Sequence, residues 1–159
     1  MKQKKTVPAY LRIFFSLVTC LVGLAAMAGF SYAEREMADE NAAKAVEMLV
    51  MERTEAMNGY FAGDVQYLQA SERLREMEAG ELLEEDLEAL HAWERTDIEI
   101  IEAFEILEVV LMELTEERIA AQVTVDWIVR GIEGKDHFSV TYQAVCEKQG
   151  ETLKLVKFF

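Results

Sequence analysis

Residues 104–114 read FEILEVVLMEL, and whether they form a buried helix or a strand decides the fold of this chain. The apolar side chains Phe104, Ile106, Leu107, Val109, Val110, Leu111 and Met112 fall on all sides of a helical wheel, so a helix here would have no single face to bury. Phe, Ile and Val favour extended backbone, and the run ends at the polar turn TEER, residues 115–118. The segment is therefore read as a strand. Under strict alternation Phe104, Ile106, Glu108, Val110 and Met112 share the inward face, and Leu107, Val109 and Leu111 point outward.

Three more strands follow. In IAAQVTVDWIV, residues 119–129, the residues Ile119, Ala121, Val123, Val125, Trp127 and Val129 share one face, opposite Ala120, Gln122, Thr124, Asp126 and Ile128. Gly131 and Gly134 bracket a turn, after which HFSVTYQAVCE sends Phe138, Val140, Tyr142, Ala144 and Cys146 inward. KQGE makes a second hairpin turn into TLKLVKFF, the last strand.

Upstream the period is helical. Apolar or small residues at 38, 42, 46, 49, 56 and 60 predict a long helix over Glu34–Ala62. Gly63 can take the left-handed conformation that closes it, and Asp64 is suited to cap the next helix, so the two predict a tight corner. The second helix carries Val65, Leu68, Leu74 and Met77 up to Gly80; the third, LLEEDLEALHAW, presents Leu83, Leu87, Leu90 and Trp93. The fold class is α+β: three helices packed on an antiparallel meander of about four strands.

Residues 1–33 hold Lys2, Lys4, Lys5 and Arg12 and no acid, with an apolar run from Ile13 to Ala33. That run is long enough to cross a bilayer core of roughly 30 Å, and retention of the basic residues in the cytoplasm sends residues 34–159 outside. Two outcomes stay open. Tyr10, Phe14, Phe15, Phe30 and Tyr32 resemble the aromatic belts of a retained single-pass anchor in the cell membrane, whereas Ser31 and Ala33 suit cleavage near Ala33 and secretion. Leu17 to Cys20 makes a poor lipoprotein box, because threonine precedes the cysteine.

The exported part holds all 30 acids and 12 of the 16 Lys and Arg, a formal charge of −18. Such a field repels nucleic acid and favours solubility or a basic partner. Cys20 lies in the apolar run, which leaves Cys146 alone outside, so no intramolecular disulfide is available. No cofactor motif is present: there is no phosphate-binding glycine loop, and His91 and His137 lack neighbours at zinc-ligand spacing. Glu84, Glu85, Asp86 and Glu88 have no calcium-loop spacing and read as a solvated helix face.

The AGD corner at 62–64, the helices around it and the closing meander of long strands resemble the nuclear transport factor two-like superfamily, a cystatin-like cone, over about residues 36–159. The small hairpin often found between the early helices of that fold is not visible between Asp64 and Trp93. The resemblance implies a curved sheet wrapped around a helix and an apolar pocket, here lined by Tyr60, Phe104, Glu108, Trp127 and Tyr142. It includes enzymes of the ketosteroid isomerase type, which need a proton-moving group inside the cone; the only candidate is Glu108, with Tyr142 as hydroxyl donor. It also includes membrane-anchored assembly components of conjugation and secretion machines, which this layout resembles more. Leu107, Val109 and Leu111 beside Ile128 would then form an exposed apolar patch, a contact surface for a homodimer or another envelope protein. The expected function is a non-enzymatic extracytoplasmic interaction domain; the alternative is a small-ligand-binding or isomerase-like domain.

Overall fold

In the computed structural model three helices, α1 (Ala9–Ala62), α2 (Tyr67–Met77) and α3 (Gly80–Ala92), precede four strands, β1 (Ile100–Leu114), β2 (Arg118–Arg130), β3 (Lys135–Gln149) and β4 (Thr152–Phe158). The structure describes the backbone of residues 9–92, 100–131 and 134–159, and the side chains in those ranges from residue 36 onward. The chain divides into two units, Met1–Ala38 and Asp39–Phe159, with the division inside α1. The apolar run 13–33 lies outside the residues whose side chains are described, as does Trp93. Among the described residues no helix is long and apolar enough to cross a membrane.

The strands pair in sequence order as one antiparallel sheet, so the expected meander forms with β1 and β4 at its edges. On α1 the residues Ala42, Val46 and Val50, spaced by one turn, press against Ile119, Ala121, Val123, Val125, Trp127 and Val129 of β2 and Ala144 and Cys146 of β3. Past Thr54, whose hydroxyl donates to the Val50 carbonyl at 2.9 Å, the apolar partners of α1 change. Ala56 and Phe61 join a second cluster with Ala70 and Leu74 of α2 and Leu90 of α3. Asn58 clasps the sheet edge. Its side-chain amide donates to the Ile101 carbonyl at 2.9 Å, and its side-chain oxygen accepts from the Ile101 N–H at 3.1 Å.

The corner after α1 forms at Gly63, whose φ of 85° lies in the left-handed region. Its N–H donates to the Tyr60 carbonyl, and the N–H groups of Asp64 and Val65 both donate to the Gly59 carbonyl, at 2.9 and 3.0 Å. Asp64, expected as the cap of the next helix, is exposed in the turn. Gln66 takes that place, its N–H donating to the Gln69 side chain at 3.4 Å. Because a Cβ is disfavoured at positive φ, Gly63→Ala is expected to cost about 1–2 kcal/mol in urea unfolding; an unchanged midpoint would mean that the corner relaxes out of this conformation.

β1 departs from alternation. It starts at Ile100, ahead of the run whose reading decided the fold. The pairing with β2 slips at three places, between Ile101 and Ala103, between Ile106 and Glu108, and between Leu111 and Glu113. Each slip inserts one extra residue, Glu102, Leu107 or Met112, and each resets which face the chain presents. Ile101, Phe104, Ile106, Val109 and Leu111 consequently all pack on the core. Glu102 is held over the sheet end by ion pairs with Lys135 and, at 3.5 Å, with Arg130.

Candidate functional site

Four aromatic side chains, one from each strand, form a row on the helix-covered face of the sheet. Phe104 and Trp127 have ring centroids 5.7 Å apart, Trp127 and Tyr142 meet edge-on at 6.2 Å, and Tyr142 stacks on Phe158 at 4.6 Å. Three of the five expected pocket residues, Phe104, Trp127 and Tyr142, are therefore brought together. The other two are elsewhere. Tyr60 packs edge-on with Phe61 and Tyr67 in the second cluster. Glu108, opposite Thr124 and just past the slip at Leu107, is exposed on the outer face, whereas Tyr142 pairs with Val123 on the inner one. The sheet thus separates the expected carboxylate from its expected hydroxyl partner.

The row ends under a cation. The Arg53 guanidinium sits 5.2 Å above the Phe158 ring and donates through Nε and Nη2 to the two carboxylate oxygens of Asp86, each at 2.7 Å. Asp86 is buried in α3, so the expectation of a solvated face fails there: Leu82, Asp86 and Leu90 form the covered stripe of that helix. Glu78, fully buried in the α2–α3 connection, lies 3.0 Å from Arg53 Nε. That nitrogen has one hydrogen, and Asp86 takes it. As a carboxylate Glu78 would have no hydrogen-bond donor among the described residues; as a carboxylic acid it becomes a donor to Asp86. Burial, reinforced by the Asp86 charge and only partly offset by Arg53, raises its pKa to about 9.

The backbone around Glu78 explains why the acid stays there. Its N–H donates to the Leu74 carbonyl at 2.8 Å, and the Ala79 N–H donates to the Leu155 carbonyl at 3.0 Å, tying the connection to β4. Sequence reasoning missed this cluster because Arg53, Glu78 and Asp86 stand far apart in a chain crowded with acids. The available signal was that Asp86 shares a helical stripe with Leu82 and Leu90. No substrate could touch Glu78 without opening the helix connection, so the cluster is structural. Cys146 is equally sealed, burial pushing its thiol to about 12.

On the outer face of β2 and β3 five polar side chains satisfy one another. Asp126 accepts from Ser139 at 2.6 Å and contacts His137 Nε2 at 2.6 Å, which lowers the Asp126 pKa, and the Thr124 and Thr141 hydroxyls share a hydrogen bond at 3.0 Å. Ser139 does not bond His137 here, so these three side chains do not make a nucleophilic relay.

Part of the exposed apolar surface lies along β1. Leu107 is 53% exposed, Val110 42%, Met112 65% and Leu114 40%. Of the four expected contact residues, Leu107 is exposed and Ile128 is half-buried on the outer face, but the slip at Leu107 turns Val109 and Leu111 onto the core. The exposed strip is thus carried by Leu107 and Met112, the extra residues of two slips, with Val110 between them. Beside it, Glu40, Ala43, Lys44 and Glu47 of α1 and Ile106–Val109 of β1 line a shallow hollow of about 330 Å³.

No family model and no curated protein matches the chain. Among solved structures it is similar to the intermembrane-space region of the chloroplast protein ARC6, at 13% identity and a TM-score of 0.51, over 74% of this chain and 94% of that one. It also matches an NTF-2-like protein of unknown function from Shewanella oneidensis MR-1 at 14% identity and a TM-score of 0.46, over 72% of this chain and 94% of that one. A third match is a de novo designed β-sheet protein, at 14% identity and a TM-score of 0.42, over 76% and 87%. At such identities the likeness to the ARC6 region is one of fold, and it is the fold that this chain shares with it.

Proposed function

We propose that the chain is a non-enzymatic interaction domain of the nuclear transport factor two-like class. In this reading it is held outside the cytoplasm by the apolar run Ile13–Ala33 and serves the assembly of an envelope machine. The observation that carries the reading is the strip Leu107, Val110 and Met112, large apolar side chains left in water on an edge strand whose neighbours are acidic. The separation of Glu108 from Tyr142 and the sealing of Glu78 speak against proton chemistry. The ARC6 region, which occupies an intermembrane space, supports an extracytoplasmic setting by likeness of fold alone.

The partner in this reading is another protein of the envelope. Two copies of a domain carrying a formal −18 repel each other at the approach distances where an exposed strip meets its match. The first test is the mass of the protein in washed membranes and in the medium of expressing cells; a mature form beginning at Glu34 in the medium would defeat the tethered reading. The second places a photo-crosslinking residue at Met112. A discrete heterologous adduct that disappears with Val110→Arg is expected, and an adduct pattern untouched by that substitution would remove the strip from the function.

The small-ligand reading retains one observation in its favour: among the described residues the buried Trp127 Nε1, beside Phe104 and Tyr142, has no hydrogen-bond acceptor. Small molecules carrying an acceptor that shift indole emission in a Trp93→Phe background would favour it. Unchanged emission would leave the interaction reading alone.

A further inference from the structure

We propose that the hollow between α1 and β1 receives a short extended segment of a basic protein partner, which lays an apolar side chain on Ile106 and Val109 and sets its Lys or Arg groups against Glu40, Glu47 and Glu108. This inference rests on the interaction reading and names the chemistry of the partner.

The floor of the hollow is Ala43, Ile106 and Val109, half-buried and apolar; its rim is Glu40, Lys44, Glu47, Leu107 and Glu108, all exposed. Three carboxylates against one ammonium give the rim a net negative charge, inside a domain whose summed field is already strongly negative. An apolar floor within an acidic rim selects an occupant of the converse pattern, apolar at one position and cationic at its neighbours. In an extended segment side chains alternate, so residues on either side of an apolar anchor reach outward to the rim while the anchor points down. Chain flexibility at Lys and Arg lets their charged ends meet Glu40 and Glu47 on one side and Glu108 on the other.

The edge of β1 also sets how the segment binds. The slip at Leu107 breaks the regular spacing of backbone groups, and a partner strand cannot pair straight through it. Recognition therefore falls to side chains in the hollow. A second copy of this chain is a poor occupant, because it would bring the same charge to an already acidic rim.

The test uses the full chain in a nonionic detergent and a fluorescein-labelled peptide, Lys-Leu-Lys-Val-Lys, followed by anisotropy at low and moderate salt. The triple substitution Glu40→Gln, Glu47→Gln and Glu108→Gln is expected to weaken binding at least tenfold. A charge-matched control, Glu72→Gln, Glu76→Gln and Glu151→Gln, removes three exposed acids elsewhere and should change it less than twofold. Replacing Leu and Val of the peptide by Ser should weaken binding by a similar factor to the first triple.

Absence of peptide binding overturns the proposal, and so does equal weakening by both triples, which would assign the attraction to overall acidity. Peptide binding unaffected by Ser overturns the role of the apolar floor. In any of these cases the Met112 crosslinks and the membrane fraction still decide the interaction reading by themselves, since Val110 and Met112 lie outside the hollow.

Discussion

Replacing Arg53 by Met is expected to destabilise the domain by about 3–5 kcal/mol at pH 7, the range for removing one partner of a buried ion pair. Met fills much of the same space and keeps contact with Phe158, so the loss is not one of packing. What disappears is the fork that supplies two hydrogen bonds to Asp86, each at 2.7 Å, together with the positive charge that faces Glu78. Asp86 would then remain buried as an unpaired charge next to a second carboxyl group. Arg53→Lys should recover only part of the loss, because an ammonium cannot reproduce the planar two-point contact. Urea unfolding of the wild type and the two variants checks this; a cost below about 1 kcal/mol for Arg53→Met would mean that the acids are solvated in solution.

The pH dependence of stability carries the second large effect. Glu78 is an acid whose pKa in the folded protein is raised to about 9 from an ordinary 4.5. Between those values the folded chain keeps a proton that the unfolded chain releases, so stability falls as pH rises through the window. The contribution is fully present below about pH 4.5 and is lost as the pH passes about 9. The steepest slope for one proton is about 1.4 kcal/mol per pH unit. Glu78→Gln places a permanently neutral group of similar shape there, able to donate to Asp86 as the protonated acid does. The difference in unfolding free energy between the variant and the wild type should therefore grow with pH from 5 to 9 in favour of Gln. A constant difference over that range would show that Glu78 titrates normally.

The helices and the meander were legible because each rests on a local pattern. In β2 the residues from Ile119 to Val129 alternate without a break, and in α1 the small or apolar residues Ala38, Ala42 and Val46 repeat by the turn. Gly63 announced the corner by the one property that glycine alone supplies cheaply. β1 was legible as a strand but not in its facing, since one slip reverses every side chain beyond it. The spacing of its core residues, Ile101, Phe104, Ile106, Val109 and Leu111, runs three, two, three, two, and all five are apolar. Strict alternation hid that pattern, which moved Val109 and Leu111 from the expected contact surface to the core and Glu108 from the expected pocket to water. The cluster of Arg53, Glu78 and Asp86 stayed hidden for another reason. Its members meet only through packing, and no local period of the sequence links Arg53 to the two acids.

The slips at Glu102, Leu107 and Met112 are five residues apart, and in each repeat five residues of β1 face four of β2. The strand therefore has a unit of length. Adding or removing one residue anywhere in it would carry everything on the far side to the wrong face, whereas a change of five, matched by four in β2 and four in β3, would leave core, rim and exposed strip in phase. Lengthening this sheet in such modules would give a longer edge bearing one more Leu107-like projection per step, a graded series in which the reach of the domain grows without any alteration of its helices.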